Sequence, residues 1–275
     1  MQLLDEVRAN CAAIARDARY VSIDLDAWSE PPQVDAAAPA GGADRLLQLD
    51  AINFGSGWFP TLRKRPGLSG YRTVEAALGE HGAWDNDELR RLDASAVAEV
   101  LGQDDRHPLM RLYAEALREL GRFLGDRAAL DLVEQAQGSA ERVAQLLARG
   151  MRFFDDRGFY KRAQIVPSDL ALAGLAEFGD LDSLTIFADN LVPHVLRVDG
   201  VLRYDPELAA HIDAGELLPQ GRAELEIRAC AVHACEQLAQ RTGVPARLLD
   251  VRLWNQGQAP EYKAICRHRT RSVYY

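Results

Sequence analysis

The sequence predicts a mainly α protein with a small amount of sheet near its N-terminal third. Two features carry this. Apolar residues recur at three- and four-residue intervals through most of the 275 residues, and capping residues and glycines bracket those stretches. Strand-like alternation is clearest in one short piece, where Val21, Ile23 and Leu25 alternate with Ser22, Asp24 and Asp26.

In chain order, Leu3, Leu4, Val7, Cys11, Ile14 and Ala18 form the buried stripe of a first helix, and the alternating piece follows it. From Glu30 to Ala43 the composition turns to Pro, Ala and Gly, the marks of a surface loop or lid. Arg45 to Phe54 is apolar enough to be internal and short enough for a strand or a buried segment. Gly55 to Pro60 is a turn holding Trp58 and Phe59, followed by the basic loop Arg63 to Gly67. From about Thr73 the pattern is helix after helix. Asp93 caps one that carries Val97, Val100 and Leu101 and ends at Gly102. Leu109, Leu112, Tyr113, Ala116, Leu120 and Phe123 mark a long amphipathic helix stopped by Gly125. Ser139 caps a third, and Glu224 to Gln240 reads as another with Leu225, Cys230, Ala231, Ala234 and Leu238 on one side. The length suits one compact domain of 1–275, or two helical subdomains sharing a cleft.

A hydrophobic content of 48% with 27% charged residues is that of a soluble globular chain, and no apolar run is long enough to span a bilayer. The N-terminus lacks the basic-then-apolar layout of a secretory signal, so a cytoplasmic location is expected. The net charge of −9 argues against a non-specific or stable nucleic-acid partner. A small phosphorylated ligand needs only a local basic pocket, for which Arg267 to Arg271 is a candidate. Cys11, Cys230, Cys235 and Cys266 lack the spacing of a zinc site, so neither metal nor disulfide is expected.

Dinucleotide-binding, P-loop and Gly-x-Ser-x-Gly motifs are absent from the sequence. What remains is carboxylates, aromatics and a lysine in apolar company, a set suited to cleaving a glycosidic bond. Lys161 and Asp189 are the foremost pair. By spacing alone, Asp189 equally fits a residue satisfying backbone donors at a helix end, and Lys161 a helix-surface cation. Asp250 and Trp254 equally fit a cap and a core anchor. Arg228, four residues after Glu224, fits an ordinary helical ion pair.

Several segments taken together resemble the queuosine salvage protein family. They are Phe159 to Ile165, Thr185 to Asp189 with Val192-Pro193, Glu224 to Arg228, Leu249-Asp250 with Leu253-Trp254, and His268-Arg269 with Tyr274-Tyr275. Asn53-Phe54 and Ser69 to Tyr71 resemble its upstream motifs, so the resemblance runs from about residue 46 to the end. It implies a helical fold similar to that of helix-hairpin-helix DNA glycosylases. It also implies a cofactor-independent hydrolase that releases queuine and ribose 5-phosphate from the small-molecule substrate queuosine 5'-monophosphate.

By motif, Asp189 is the catalytic carboxylate, Lys161 its partner, Phe187 the wall against the deazaguanine and Asp250 the reader of its donor edge. Trp254 belongs to the same substrate-binding set. Val251 and Asn255 stand where the family commonly has an aromatic and an acid, and His194 stands for a glutamine; these three are expected to bear on which base is accepted. Arg228, Arg269 and Arg271 are candidates for the 5'-phosphate. The alternative is a diverged or non-catalytic helical protein that binds a nucleobase or nucleotide.

Overall fold

The computed structural model describes residues 2–32 and 39–275. Along these the chain forms α1 (Leu3–Arg16), β1 (Val21–Ile23), α2 (Ala43–Ala51), α3 (Gly70–His81), α4 (Asn86–Arg91), α5 (Ala94–Leu101), α6 (Pro108–Leu124), α7 (Ala129–Gln135) and α8 (Ala140–Gly150). It continues with α9 (Lys161–Leu172), α10 (Val192–Val198), β2 (Leu202–Tyr204), α11 (Pro206–Asp213), α12 (Arg222–Thr242), α13 (Ala246–Gln256) and α14 (Pro260–Lys263). The mainly α class is therefore correct. Residues 33–38 of the proposed Glu30–Ala43 loop lie outside the described residues.

The caps act as the sequence demands. The Asp93 carboxylate accepts the Ala96 amide at 2.9 Å and Ser139 Oγ accepts that of Arg142 at 3.2 Å. Each satisfies a donor that the first helical turn leaves without a carbonyl. Gly102 and Gly125 end α5 and α6 with φ of 64° and 62°, a conformation that costs other residues a Cβ clash.

Two compact units divide the chain. The first takes the described residues within Met1–Ala37, then Arg157–Lys161 and Asp180–Arg271. Here α1 packs along α12, and β1 pairs antiparallel with β2, Val21 opposite Tyr204 and Ile23 opposite Leu202. The turn between α1 and β1 is held by Glu226, a wholly buried carboxylate on α12. It accepts the Arg19 and Tyr20 amides at 2.8 and 2.6 Å and the Arg222 guanidinium at 2.7 Å. Such a charge is tolerated inside only because each oxygen is satisfied. Helices α10, α13 and α14 pack together, and Gly257 sits so close to Leu191 and Val195 that a Cβ would come within 2.8 Å of each.

The second unit takes Ala38–Asp156, Arg162–Gly179 and Ser272–Tyr275. Its long helix α6 buries Leu109, Tyr113, Leu117 and Leu120 against α2, α4 and α5, each large side chain contributing about 1.5–3 kcal/mol of apolar burial. Segment 45–54, open to reading as a strand, is mostly helix α2. Leu46, Leu47, Gln48, Leu49, Asp50 and Ala51 are all buried, so no polar face marks the helical period. Gln48 lies inside at little cost, because its amide pairs both ways with the backbone of Trp84, at 2.8 and 3.0 Å.

Arg162 is the centre of this unit. Its guanidinium is fully buried and donates to the carbonyls of Ala51 (2.5 Å), Asp50 (3.3 Å), Val273 (2.7 Å) and Phe153. The rings of Phe54 and Phe154 lie 4.7 and 5.0 Å from it. Burial lowers its pKa to about 10, opposed by Asp156 and Asp50, so it stays cationic at neutral pH. Tyr275 completes the same neighbourhood by accepting the Gly55 amide at 2.9 Å.

Candidate active site

Three segments of the first unit build the site. In the first, Gly158 takes φ 81° and Tyr160, a non-glycine residue, takes φ 48°. This left-handed step is unfavourable for a bulky side chain and persists only where its surroundings hold it. Here the Tyr160 hydroxyl donates to Glu6 at 2.9 Å, and the Gly158 carbonyl accepts from the Asn10 amide at 3.2 Å, so α1 grips the turn. The next residue, Lys161, opens α9 and is only 4% exposed. The structure thus overturns the surface-cation option: a lysine this buried must be fixed by polar neighbours rather than by water.

In the second segment, Thr185 to Ala188 are buried and Asp189 is half-buried. Asp189 Oδ1 accepts the Leu191 and Val192 amides at 2.7 and 3.1 Å, where α10 begins. The helix-end role open to it is thus filled by one oxygen. Oδ2 accepts no hydrogen bond from the described residues, so one carboxylate oxygen is pinned and the other is left to act.

The third segment is α12, which carries Arg228. Its side chain is 3% exposed. Nε donates to the Ala188 carbonyl at 2.9 Å, the guanidinium lies 3.9 Å from the centroid of the Phe159 ring, and Glu224 Oε1 is 3.7 Å from its NH1. The helical ion pair is there, and the same guanidinium also reaches two other segments.

The remaining candidates divide. Asp250 lies inside α13 and is buried, so it is not a cap. Its Oδ1 accepts the Phe187 amide at 2.8 Å, which brings these two predicted residues together. Trp254, the proposed core anchor, is only half-buried, as is Val251. Asn255 donates its amide to the Val251 carbonyl of its own helix at 2.9 Å. His194 is buried, with Nε2 bonded to the Tyr262 carbonyl at 2.9 Å, and burial lowers its pKa. Arg269 donates to the Gly215 carbonyl, and Arg271 is exposed.

Arg267, the first residue of the predicted basic run 267–271, also comes near this segment. Asn190 donates to the His268 carbonyl at 3.2 Å, which sets Arg267 near Asp189. Burial lowers the Arg267 pKa while the Asp189 charge opposes that shift. Arg267 makes no hydrogen bond or ion pair with the described residues. The only sequence signal for it is its place in the basic run 267–271. Arg228, Arg267, His194 and Arg197 add to burial in depressing His268 to about 3, so its imidazole is neutral in a strongly cationic neighbourhood. Basic side chains are therefore gathered around His268 inside a chain of net charge −9.

Helical architecture, a carboxylate pinned by two backbone amides and a buried lysine describe a helical protein that holds acid–base and charged groups in one unit. The sequence profile of the queuosine salvage protein family matches residues 43–275, and the chain belongs to that family. It is 34% identical over 262 residues to the queuosine 5'-phosphate N-glycosylase/hydrolase of Sphaerobacter thermophilus, covering 85% of this chain and 81% of that protein. To the protein of the same name from Dictyostelium discoideum it is 30% identical over 254 residues, covering 85% and 78%. To the one from Mus musculus it is 31% identical over 198 residues, spanning 59% of the mouse protein's length. Among the described residues no helix is long and apolar enough to cross a membrane.

Proposed function

We propose that this chain hydrolyses the N-glycosidic bond of queuosine 5'-monophosphate, releasing queuine and ribose 5-phosphate. The family and the names of its relatives support the reaction. The observation that carries the assignment of residues is Asp189, with one oxygen locked by two backbone amides and the other unengaged by the described residues. A carboxylate held this way loses little entropy on reaction and can stabilise the positive charge that develops at the anomeric carbon, while orienting water on the face opposite the base.

Lys161 supplies a buried positive charge to the ribose side of the substrate. Phe187, whose amide is fixed by Asp250, stacks on the deazaguanine, with Trp254 beside the same base. Asp250, held against the Phe187 backbone, accepts from the base edge. Asn255 donates to the Val251 carbonyl of its own helix and turns its carbonyl oxygen to the cationic amine of queuine, with Val251 as an apolar neighbour and His194 tying α10 to α14. For the 5'-phosphate, Arg228 and Arg269 already donate to carbonyls, whereas Arg267 does not; Arg267 is the main contact and Arg271 an outer one.

The test is to incubate purified protein with queuosine 5'-monophosphate and measure free queuine. Asp189→Asn, with an unchanged melting temperature, is expected to lower turnover about a hundredfold or more. Near-normal release by that variant would remove Asp189 from catalysis. Tight binding without any release by the wild type would favour a non-catalytic nucleotide-binding protein.

A further inference from the structure

We propose that Arg228 is a positioning residue that sets Lys161 and Asp189 against each other, and is not a phosphate ligand. This rests on the reading of Lys161 and Asp189 as the catalytic pair. One guanidinium holds both segments: its face lies 3.9 Å from the ring centroid of Phe159, two residues before Lys161, and its Nε donates at 2.9 Å to the carbonyl of Ala188, the residue before Asp189. The side chain is 3% exposed, and Glu224 one turn earlier on α12 orients the fork. A planar cation can stack and hydrogen-bond at once, which a lysine cannot do with the same geometry.

The arrangement is also under load. Between Phe159 and Lys161 the backbone passes through Tyr160 at φ 48°, and such a turn relaxes unless both sides are clamped. Glu6 clamps Tyr160 on the α1 side, and the stacked guanidinium clamps Phe159 on the α12 side. Relaxation of this turn would displace Lys161, the residue that follows it. A shift of about 1 Å at a reacting group is enough to cost on the order of a hundredfold in rate.

The experiment measures single-turnover cleavage and KM for queuosine 5'-monophosphate, with melting curves, for Arg228→Lys, Phe159→Leu, their double variant and Asp189→Asn. Positioning predicts that Arg228→Lys lowers the cleavage rate constant at least tenfold while KM stays within about twofold. Phe159→Leu, which keeps the bond to Ala188, should lose roughly threefold, and the double variant no more than Arg228→Lys alone, because both remove the same clamp. A raised KM with intact cleavage would overturn the proposal in favour of substrate contact. A lowered melting temperature with normal cleavage per folded molecule would overturn it in favour of a purely structural role. If Arg228→Lys does not fold, Phe159→Leu decides: a rate loss at constant KM supports positioning, and an unchanged rate overturns it. Asp189→Asn checks the parent reading separately, since its full activity would discard the pair whatever Arg228 does.

Discussion

Arg162 and Arg228 are two buried arginines with aromatic faces and carbonyl acceptors, one in each unit, and they are put to different use. Arg162 gathers the carbonyls of Asp50, Ala51, Phe153 and Val273 between two phenylalanine rings. None of those groups is a candidate for chemistry. Arg228 donates to the Ala188 carbonyl and lies over the Phe159 ring, and Ala188 and Phe159 each stand within two residues of a candidate catalytic side chain. A buried guanidinium is costly to desolvate, so both are retained for what they organise: a core in one case, a reaction geometry in the other. Sequence cannot tell them apart, since both stand in family-like motifs beside apolar residues.

The comparison can be broken by substitution. Arg162→Leu should have the largest effect on stability, about 3–5 kcal/mol in a denaturant titration, because four carbonyls lose their donor and the two rings their cation. If stability barely changes, Arg162 is not the centre of its unit. Arg228→Lys should instead leave stability nearly intact and act on the rate, as set out above.

Acid sharpens the contrast. His268 is held neutral with a pKa near 3, below the unfolded value of about 6.5, so the unfolded chain binds more protons between those values. Its contribution to stability is present above pH 6.5 and is lost progressively as pH falls toward 3, about 2 kcal/mol between pH 7 and pH 5 for one such group. His268→Asn should flatten that part of the stability profile, whereas the same slope in the variant would locate the acid response elsewhere. Arg162, which titrates near 10, gives no such slope in this range. The smallest expected effect, about 1–2 kcal/mol, is that of Gly158→Ala, where φ is 81° and the new Cβ would lie 2.4 Å from the Asn10 amide. A neutral result there would show that α1 yields easily at the Lys161 turn.

Local chemistry made much of the fold legible. Asp93, Ser139, Gly102 and Gly125 each act within a few residues, so their effect can be read without knowing the fold. The Val21–Ile23 strand was visible from its alternation, but its partner Leu202–Tyr204 was not, because strand pairing is a long-range choice. Helix α2 was ambiguous since it is buried all round. At the site, residue types and motifs marked Asp189, Lys161 and Phe187. The burial of Lys161, the Asp250 bond to Phe187 and the approach of Arg267 to Asp189 arise only on folding. Charge counting along the chain cannot distinguish Arg267 from Arg269, although one feels the charge of Asp189 and the other donates to a carbonyl.

The interleaving of the two units bears on how the chain acquires its structure. The second unit is mostly made of early and middle segments, yet the Arg162 cage takes its Val273 carbonyl from the stretch 272–275, which follows all of the first unit in sequence. During synthesis, the buried cation of residue 162 waits more than a hundred residues for its last acceptor. That contact gives the second unit a long-range step, which cannot close until residue 273 has been made.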